Sequence, residues 1–210
     1  MINVLIVDDH DIVREGIRRI IENTSEIRAA DEASTGQEAL NLIFNNKYDL
    51  VLLDISMPGK NGLQILKEIK KYNKKIPVLM LSMHAEEQYA MRAIKAGASG
   101  YLTKDNASEQ LVSAIQKINN GKKYISQEVA ELLVTDIYYD EEKHLHEYLS
   151  DREFEVFKLI IQGKQAKNIA IKLSISDKTV STYRSRIMKK MNMSSTSDLI
   201  YYAIENNISD

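Results

Sequence analysis

Five polar residues stand where short apolar runs of this 210-residue chain stop. Asp8 and Asp9 follow Ile2–Val7, Asp54 follows residues 49–53, Ser82 ends residues 77–82, and Lys104 follows Gly100–Thr103. Close carboxylates repel one another, so three of them either take up a proton or gather a hard cation. Mg2+ suits such a group: it takes oxygen ligands, keeps several waters and often bridges to phosphate. A hydroxyl and an ammonium beside it would stabilise the oxygens of a phosphoryl group carried by Asp54 as an acyl phosphate. Aspartates at strand ends also serve as plain turn or cap residues. All five at matching strand ends favour a shared site over that reading.

For these residues to meet, the runs must be neighbouring strands of one sheet. They are apolar throughout, as in strands covered on both faces, and a weaker strand is predicted at residues 28–33. Between them Val13, Ile17, Ile20 and Ile21, then Leu63, Leu66 and Ile69, then Leu111, Ile115 and Ile118 recur at helical spacing. Alternating strands and helices imply an α/β fold with a parallel, doubly wound sheet, read here as (βα)5. In the flavodoxin-like strand order 2-1-3-4-5, ligands bind beyond the strand ends between the first and third strands, where both aspartate groups lie.

Asn119, Asn120 and Gly121 end the last of these helices. The connector after it is predicted helical at residues 127–137 and solvated at 138–144. The remainder reads as helices only. Ser150 and Glu153 have capping-box spacing before Phe154 and Phe157; residues 166–173 form a second helix, 178–191 a third and 197–206 a fourth. A tight turn at 174–176 between the second and third suggests helix-turn-helix. The predicted domains are therefore 1–118, a partly helical linker over 119–146, and a small all-α domain over 147–210.

Composition excludes other classes. The chain has no cysteine, hence no disulfide framework and no thiolate zinc site. Its apolar runs fall short of the roughly 18 residues a membrane helix needs, and MINVLIVDDH lacks the basic start of a signal peptide. A soluble cytoplasmic protein is expected. The formal net charge is only -2, yet residues 147–210 carry 10 basic and 8 acidic side chains. Lys178, Arg184, Arg186, Lys189 and Lys190 share one predicted helix with no acid after Asp177. With Val180, Ile187 and Met191 as its buried stripe, Lys178, Ser181, Thr182, Ser185, Arg186 and Lys189 fall broadly outward. Together with Thr179 they form a candidate major-groove surface: small polar residues for bases, flanking cations for phosphates. A solvated cationic face is the plainer reading; the preceding helix and turn favour DNA.

VLIVDDH, VLLDISMPG, MLSMHAEE and GYLTKD resemble the receiver domain of bacterial two-component response regulators. LSDREFEVFKLIIQGKQAKNIAIKLSISDKTVSTYRSRIMKKM resembles the LuxR-type helix-turn-helix, so the whole chain resembles the NarL/FixJ group. The resemblance implies a transcription factor, not an enzyme, with phosphate donated to Asp54 by a histidine kinase. It implies Mg2+ held by Asp9, Asp54 and the main-chain carbonyl of Ser56, with Asp8 acting mostly through water. Ser82 and Lys104 would bind the phosphoryl group, and Tyr101 would rotate inward as Ser82 moves. Ser56 and His84 occupy positions that tune phosphoryl lifetime in receivers. Double-stranded DNA would be read from Ser181, Thr182 and Ser185 by a homodimer, with no membrane partner.

Departures from the family pattern are local. Asp105 stands where many receivers have a proline after a cis peptide; a trans bond is expected, with Asp105 capping the last receiver helix. Ser181 replaces a common lysine, and Gln165–Asn168 lacks the usual acid, which leaves the operator open. Leu199, Ile200, Ala203 and Ile204 are either core or a dimer contact. His10 is expected to be solvated and outside any metal cluster. Two other functions compete. An aspartyl-phosphate hydrolase of the haloacid-dehalogenase kind would want an aspartate where Ser56 stands. A regulator working without phosphate would not need Asp9, Asp54, Ser82 and Lys104 together.

Overall fold

A computed structural model describes every residue except 59, 84–86, 128, 132–143, 207 and 209–210, and the backbone alone of residues 87 and 88. His84 thus lies outside the described residues. The chain divides into two compact units, Met1–Ile137 and Tyr138–Asp210. Among the described residues no helix is long and apolar enough to cross a membrane.

In the first unit, β1 (Ile2–Val7), β2 (Ile27–Ala33), β3 (Leu50–Asp54), β4 (Val78–Ser82) and β5 (Gly100–Thr103) form one parallel sheet in the order 2-1-3-4-5. Helices α1 (Asp11–Glu22), α2 (Gly36–Asn45), α3 (Gly62–Tyr72), α4 (Glu87–Lys95) and α5 (Ala107–Asn119) alternate with the strands. The predicted (βα)5 fold is the one observed. Its physical reason is visible in burial: Val4 to Val7, Leu50 to Leu53 and Val78 to Leu81 are at most 1% exposed, so neither face of the central strands meets water. On one face Ile17 and Ile21 of α1 pack with Leu111, Ile115 and Ile118 of α5 over Val4, Ile6 and Leu52.

Two details differ from expectation. Asp105 does not cap α5. It sits inside a 3-10 turn, Lys104–Asn106, and Asn106 takes the cap position without a side-chain cap bond. The chain leaves β5 by tightening into that turn, which moves the helix start past Asp105. The Lys104–Asp105 bond is trans, as expected, since no cis peptide occurs among the described residues. The connector, meanwhile, begins as part of the sheet. Tyr124 N–H donates to Ser99 O at 2.9 Å and Tyr101 N–H to Tyr124 O at 3.0 Å, a parallel bridge opposite Gly100. A Cβ at Gly100 would lie 2.6 Å from Tyr124 O, so this approach requires glycine. Tyr124 Oη donates to Gln110 Oε1 at 2.6 Å. Residues 127 and 129–131 are helical, whereas the rest of the predicted linker helix lies outside the described residues.

The second unit holds α6 (Asp151–Ile161), α7 (Ala166–Leu173), α8 (Asp177–Lys190) and α9 (Thr196–Glu205). Ser150 and Glu153 close the capping box expected from their spacing. A second box, Ser195 with Asp198, starts α9. Ser174 takes a left-handed conformation (φ 52°) to end α7, and Ser176 caps α8 by accepting from Thr179 N–H. Val180 and Ile187 of α8 and Met191 at its C-cap are at most 2% exposed and form the buried stripe; Phe154, Phe157, Ile169, Leu199 and Ala203 are likewise buried.

Leu52→Ala, in a strand with no exposed surface, is expected to cost about 2–5 kcal/mol through lost transfer energy and an unfilled cavity. Ile12→Ala, at a side chain 89% exposed, should stay within about 0.5 kcal/mol. Denaturant unfolding of both variants checks the contrast.

Candidate functional site

Because β1 lies between β2 and β3, the carboxyl ends of β1 and β3 open side by side. Asp8 is fully buried and Asp54 is 1% exposed. Lys104, arriving after β5, places Nζ 2.6 Å from Asp8 Oδ2 and 2.9 Å from Asp54 Oδ1. The ammonium thus bridges two of the three carboxylates. These short contacts are ion pairs poorly aligned as hydrogen bonds: Asp8 Oδ2, Asp9 Oδ1 and both Asp54 oxygens are buried without a directed partner.

Gly62 makes room for this arrangement. A Cβ there would fall 2.0 Å from the main-chain oxygen of Asp54, and Gly62 N–H donates to Ile55 O at 2.9 Å. Asn61, fully buried, caps α3 beside it by accepting from Gln64 N–H at 2.9 Å. Ser82 ends β4 fully buried, opposite Thr103. Tyr101, opposite Met80, is 9% exposed and lines a cavity of about 290 Å3 with Gln110, Tyr124 and Val129. Ser56 is exposed two residues beyond Asp54.

His10 departs from expectation. Its ring is 65% exposed, as a solvated residue should be, yet Nδ1 lies 3.3 Å from Asp8 Oδ1 and 3.1 Å from Asp9 Oδ1. Asp8, Asp9 and His10 therefore form a group with possible ligand atoms within 4.8 Å of one another. Its origin is local: Asp8 Oδ1 accepts His10 N–H at 2.9 Å, folding the chain back into an Asx-type turn.

Electrostatics follow from this crowding. Burial pushes the Asp54 carboxyl up to about 6; Lys104 opposes the shift, and the charges of Asp8 and Asp9 add to it. Burial alone would lower the Lys104 ammonium, but Asp54 and Asp8 overcome that and hold it above its usual range. Excess negative charge and undirected carboxylate oxygens are what a hard divalent cation with oxygen preference resolves, so the donor set fits Mg2+.

On the second unit, Lys178, Ser181, Thr182, Ser185, Arg186 and Lys189 are exposed along α8. Ser181 Oγ donates to Asp177 O at 3.0 Å and Thr182 Oγ1 to Lys178 O at 2.9 Å, so each hydroxyl keeps acceptor capacity. Thr179 is half-buried, its Oγ1 2.8 Å from Ser176 Oγ in the cap. Two of the predicted cationic residues are engaged within the fold. Arg184 donates to Thr196 Oγ1 at 2.8 Å, and Lys190 Nζ to Glu153 Oε2 at 2.6 Å and Tyr148 O at 3.2 Å. Burial would raise the Glu153 carboxyl, yet Lys190 and Ser150 together hold it below the usual range. On α9, Leu199 and Ala203 are core, while Tyr201 and Ile204 are 65% and 70% exposed.

A parallel sheet with an acidic pocket at its switch point, followed by a helix-turn-helix with an exposed cationic helix, defines a receiver joined to a DNA-binding domain. Residues 4–116 match the response regulator receiver domain family and residues 147–203 the bacterial regulatory proteins of the luxR family. The chain is 36% identical over 209 residues to the response regulator UvrY of Escherichia coli K12, covering 99% of this chain and 96% of that one. It is 34% identical over 211 residues to the response regulator GacA of Pseudomonas aeruginosa, covering 100% and 99%. Among solved structures, RcsB of Salmonella enterica serovar Typhimurium, bound to promoter rprA with the phosphomimetic BeF3-, superposes with a TM-score of 0.64 at 26% identity, covering 96% and 98%. The chain belongs to the response-regulator family, with the receiver and LuxR-type domains of a two-component transcription regulator.

At pH 7 in Mg2+-free buffer, Asp54→Asn is expected to melt above the parent, which must hold a buried carboxylate charged. The folded carboxyl near 6 lies above its unfolded value of about 3.9, so the folded chain binds the extra proton and the parent loses stability as pH rises between them. The gap in melting temperature should therefore widen from about pH 4 to about pH 6.5. A gap independent of pH would contradict the weakened acidity of the buried Asp54 carboxyl.

Proposed function

We propose that a sensor histidine kinase phosphorylates this chain on Asp54 in the presence of Mg2+ and that the modification switches DNA binding. The observation that carries this reading is the set of buried carboxylate oxygens lacking directed partners around Lys104. With a carboxyl near 6, Asp54 is largely ionised at neutral pH and therefore nucleophilic. Asp9, Asp54 and the main-chain carbonyl of Ser56 would hold Mg2+, with Asp8 acting through water; the cation supplies positive charge to an incoming phosphoryl group. An Asp54 oxygen attacks phosphorus as the bond to the kinase imidazole breaks. Lys104, 2.9 Å from the acceptor oxygen, and the Ser82 hydroxyl then pair with the phosphoryl oxygens. Tyr101 responds to Ser82 and alters the β5 side of the receiver. Chemistry on other substrates is not assigned to the chain; self-dephosphorylation is slow.

The receiver is assigned to residues 1–118, the connector to 119–146 and the DNA-binding domain to 147–210. On α8, Lys178, Arg186 and Lys189 hold phosphates, Ser181, Thr182 and Ser185 face bases, and Thr179 fixes the helix start at the groove. Phosphorylation favours a homodimer, in which the exposed Tyr201 and Ile204 of α9 meet their counterparts on half-sites about one DNA turn apart. The setting is cytoplasmic.

A small phosphodonor titrated with and without Mg2+, followed by mass and oligomeric state, tests the switch. One phosphoryl group per chain is expected, dependent on Mg2+, absent in Asp54→Asn and accompanied by dimer formation. Release of many equivalents of phosphate from an ester would favour a hydrolase. DNA binding unchanged by phosphorylation would favour a phosphate-independent regulator. Lys178→Ala is expected to weaken binding across DNA sequences and lower the salt slope by about one unit, measured by titration at several salt concentrations.

A further inference from the structure

Arg14 reaches from α1 to the back of the acidic pocket. Nη1 donates to the main-chain oxygen of Asp8 at 2.6 Å, Nε to Glu32 Oε2 at 3.2 Å, and Nη2 to Asp11. Its side chain is 12% exposed. From β2, Ala33 O accepts Asp8 N–H at 3.1 Å, so the two sides of residue 8 are held by different elements. The Asp8 carbonyl belongs to the rigid peptide plane that leads into Asp9. Asp9 itself is 22% exposed; its buried Oδ1 has no directed hydrogen bond and lies 3.1 Å from Nδ1 of the largely exposed His10, so the peptide plane sets the backbone position from which its carboxylate extends.

We propose that Arg14 is a positioning residue for the cation site: by clamping the Asp8 carbonyl to Asp11 and Glu32, it holds the backbone from which the Asp9 carboxylate reaches the site. The inference rests on the reading of Asp9 and Asp54 as Mg2+ ligands. A guanidinium suits the task because its planar fork presents donors in fixed, divergent directions to three acceptors at once; an ammonium has three donors on one atom but no such fork.

Two effects of removing Arg14 have opposite signs. Loss of a nearby positive charge should tighten Mg2+ binding, whereas loss of aim should weaken it. Outer groups that orient metal ligands are worth about 10–100-fold in affinity, while a charge partly neutralised by Asp11 and Glu32 acts only weakly at that distance. Weakening should win.

Calorimetric titration of MgCl2 into the unphosphorylated full chain provides the test. Arg14→Ala is expected to weaken Mg2+ binding about 10-fold, with Arg14→Lys recovering only part of it. Arg18→Ala is the control: Arg18 pairs with Glu15 and lies 3.6 Å from Glu32 Oε1 on the same helix, so its loss should leave the affinity near that of the parent. Glu32→Gln, which keeps Arg14 but removes one anchor, should weaken binding less and covers the case in which Arg14→Ala fails to fold. Unchanged or tighter binding in Arg14→Ala, or equal weakening in Arg18→Ala, overturns the proposal. A parent that binds no Mg2+ overturns the underlying site reading as well, and is seen before any variant is compared.

Discussion

An excess of negative charge held away from water governs the receiver unit. Asp8 and Asp54 are buried almost completely, Asp9 partly, and the contacts of Lys104 reach only the first two. Burial resists ionisation of Asp54, the charges of Asp8 and Asp9 add to that resistance, and the raised Asp54 carboxyl records it. Such a pocket is unstable in its own charge state. It gains by taking a proton, a cation, or a cation with a phosphoryl group; under the proposed function, the last outcome would turn an electrostatic defect into a switch.

The rest of the unit exists to make that defect affordable. Central strands without exposed side chains supply hydrophobic stability on both faces. Gly62 and Asn61 let α3 begin close behind Asp54, and Arg14 and Ala33 hold residue 8 from two sides. Tyr124, bridged to the Tyr101 segment through main-chain bonds, ties the segment after α5 to the strand that carries Tyr101.

Much of this was legible in the amino-acid order because the signals are collective. Apolar runs such as Val4 to Val7 and Leu50 to Leu53 announce buried strands, and the polar residue ending each run marks the same sheet edge. The helical stripe of Val180, Ile187 and Met191 likewise follows from spacing alone. What escaped depends on contacts between distant residues. Lys190 looks like another exposed cation of α8 until Glu153, 37 positions earlier, is seen to claim it. Arg14 resembles any surface arginine of an amphipathic helix; only the fold brings Glu32 and the Asp8 carbonyl to it. His10 has the look of a solvated residue outside any metal cluster, whereas its neighbours are the preceding aspartates, gathered by a turn. Asp105 fits a cap by type, but the 3-10 turn that displaces it has no signature in the residues themselves.

The most direct test of the central claim, that this pocket is built to gather a cation and a phosphoryl-like anion, is a crystal structure grown with Mg2+ and a beryllofluoride phosphomimetic. The expected result is a cation between Asp9 and Asp54, the mimic on Asp54, and Lys104 turned towards its fluorines. A mimic bound elsewhere, or a pocket that stays closed on the Lys104 bridge with Asp54 unmodified, would contradict it.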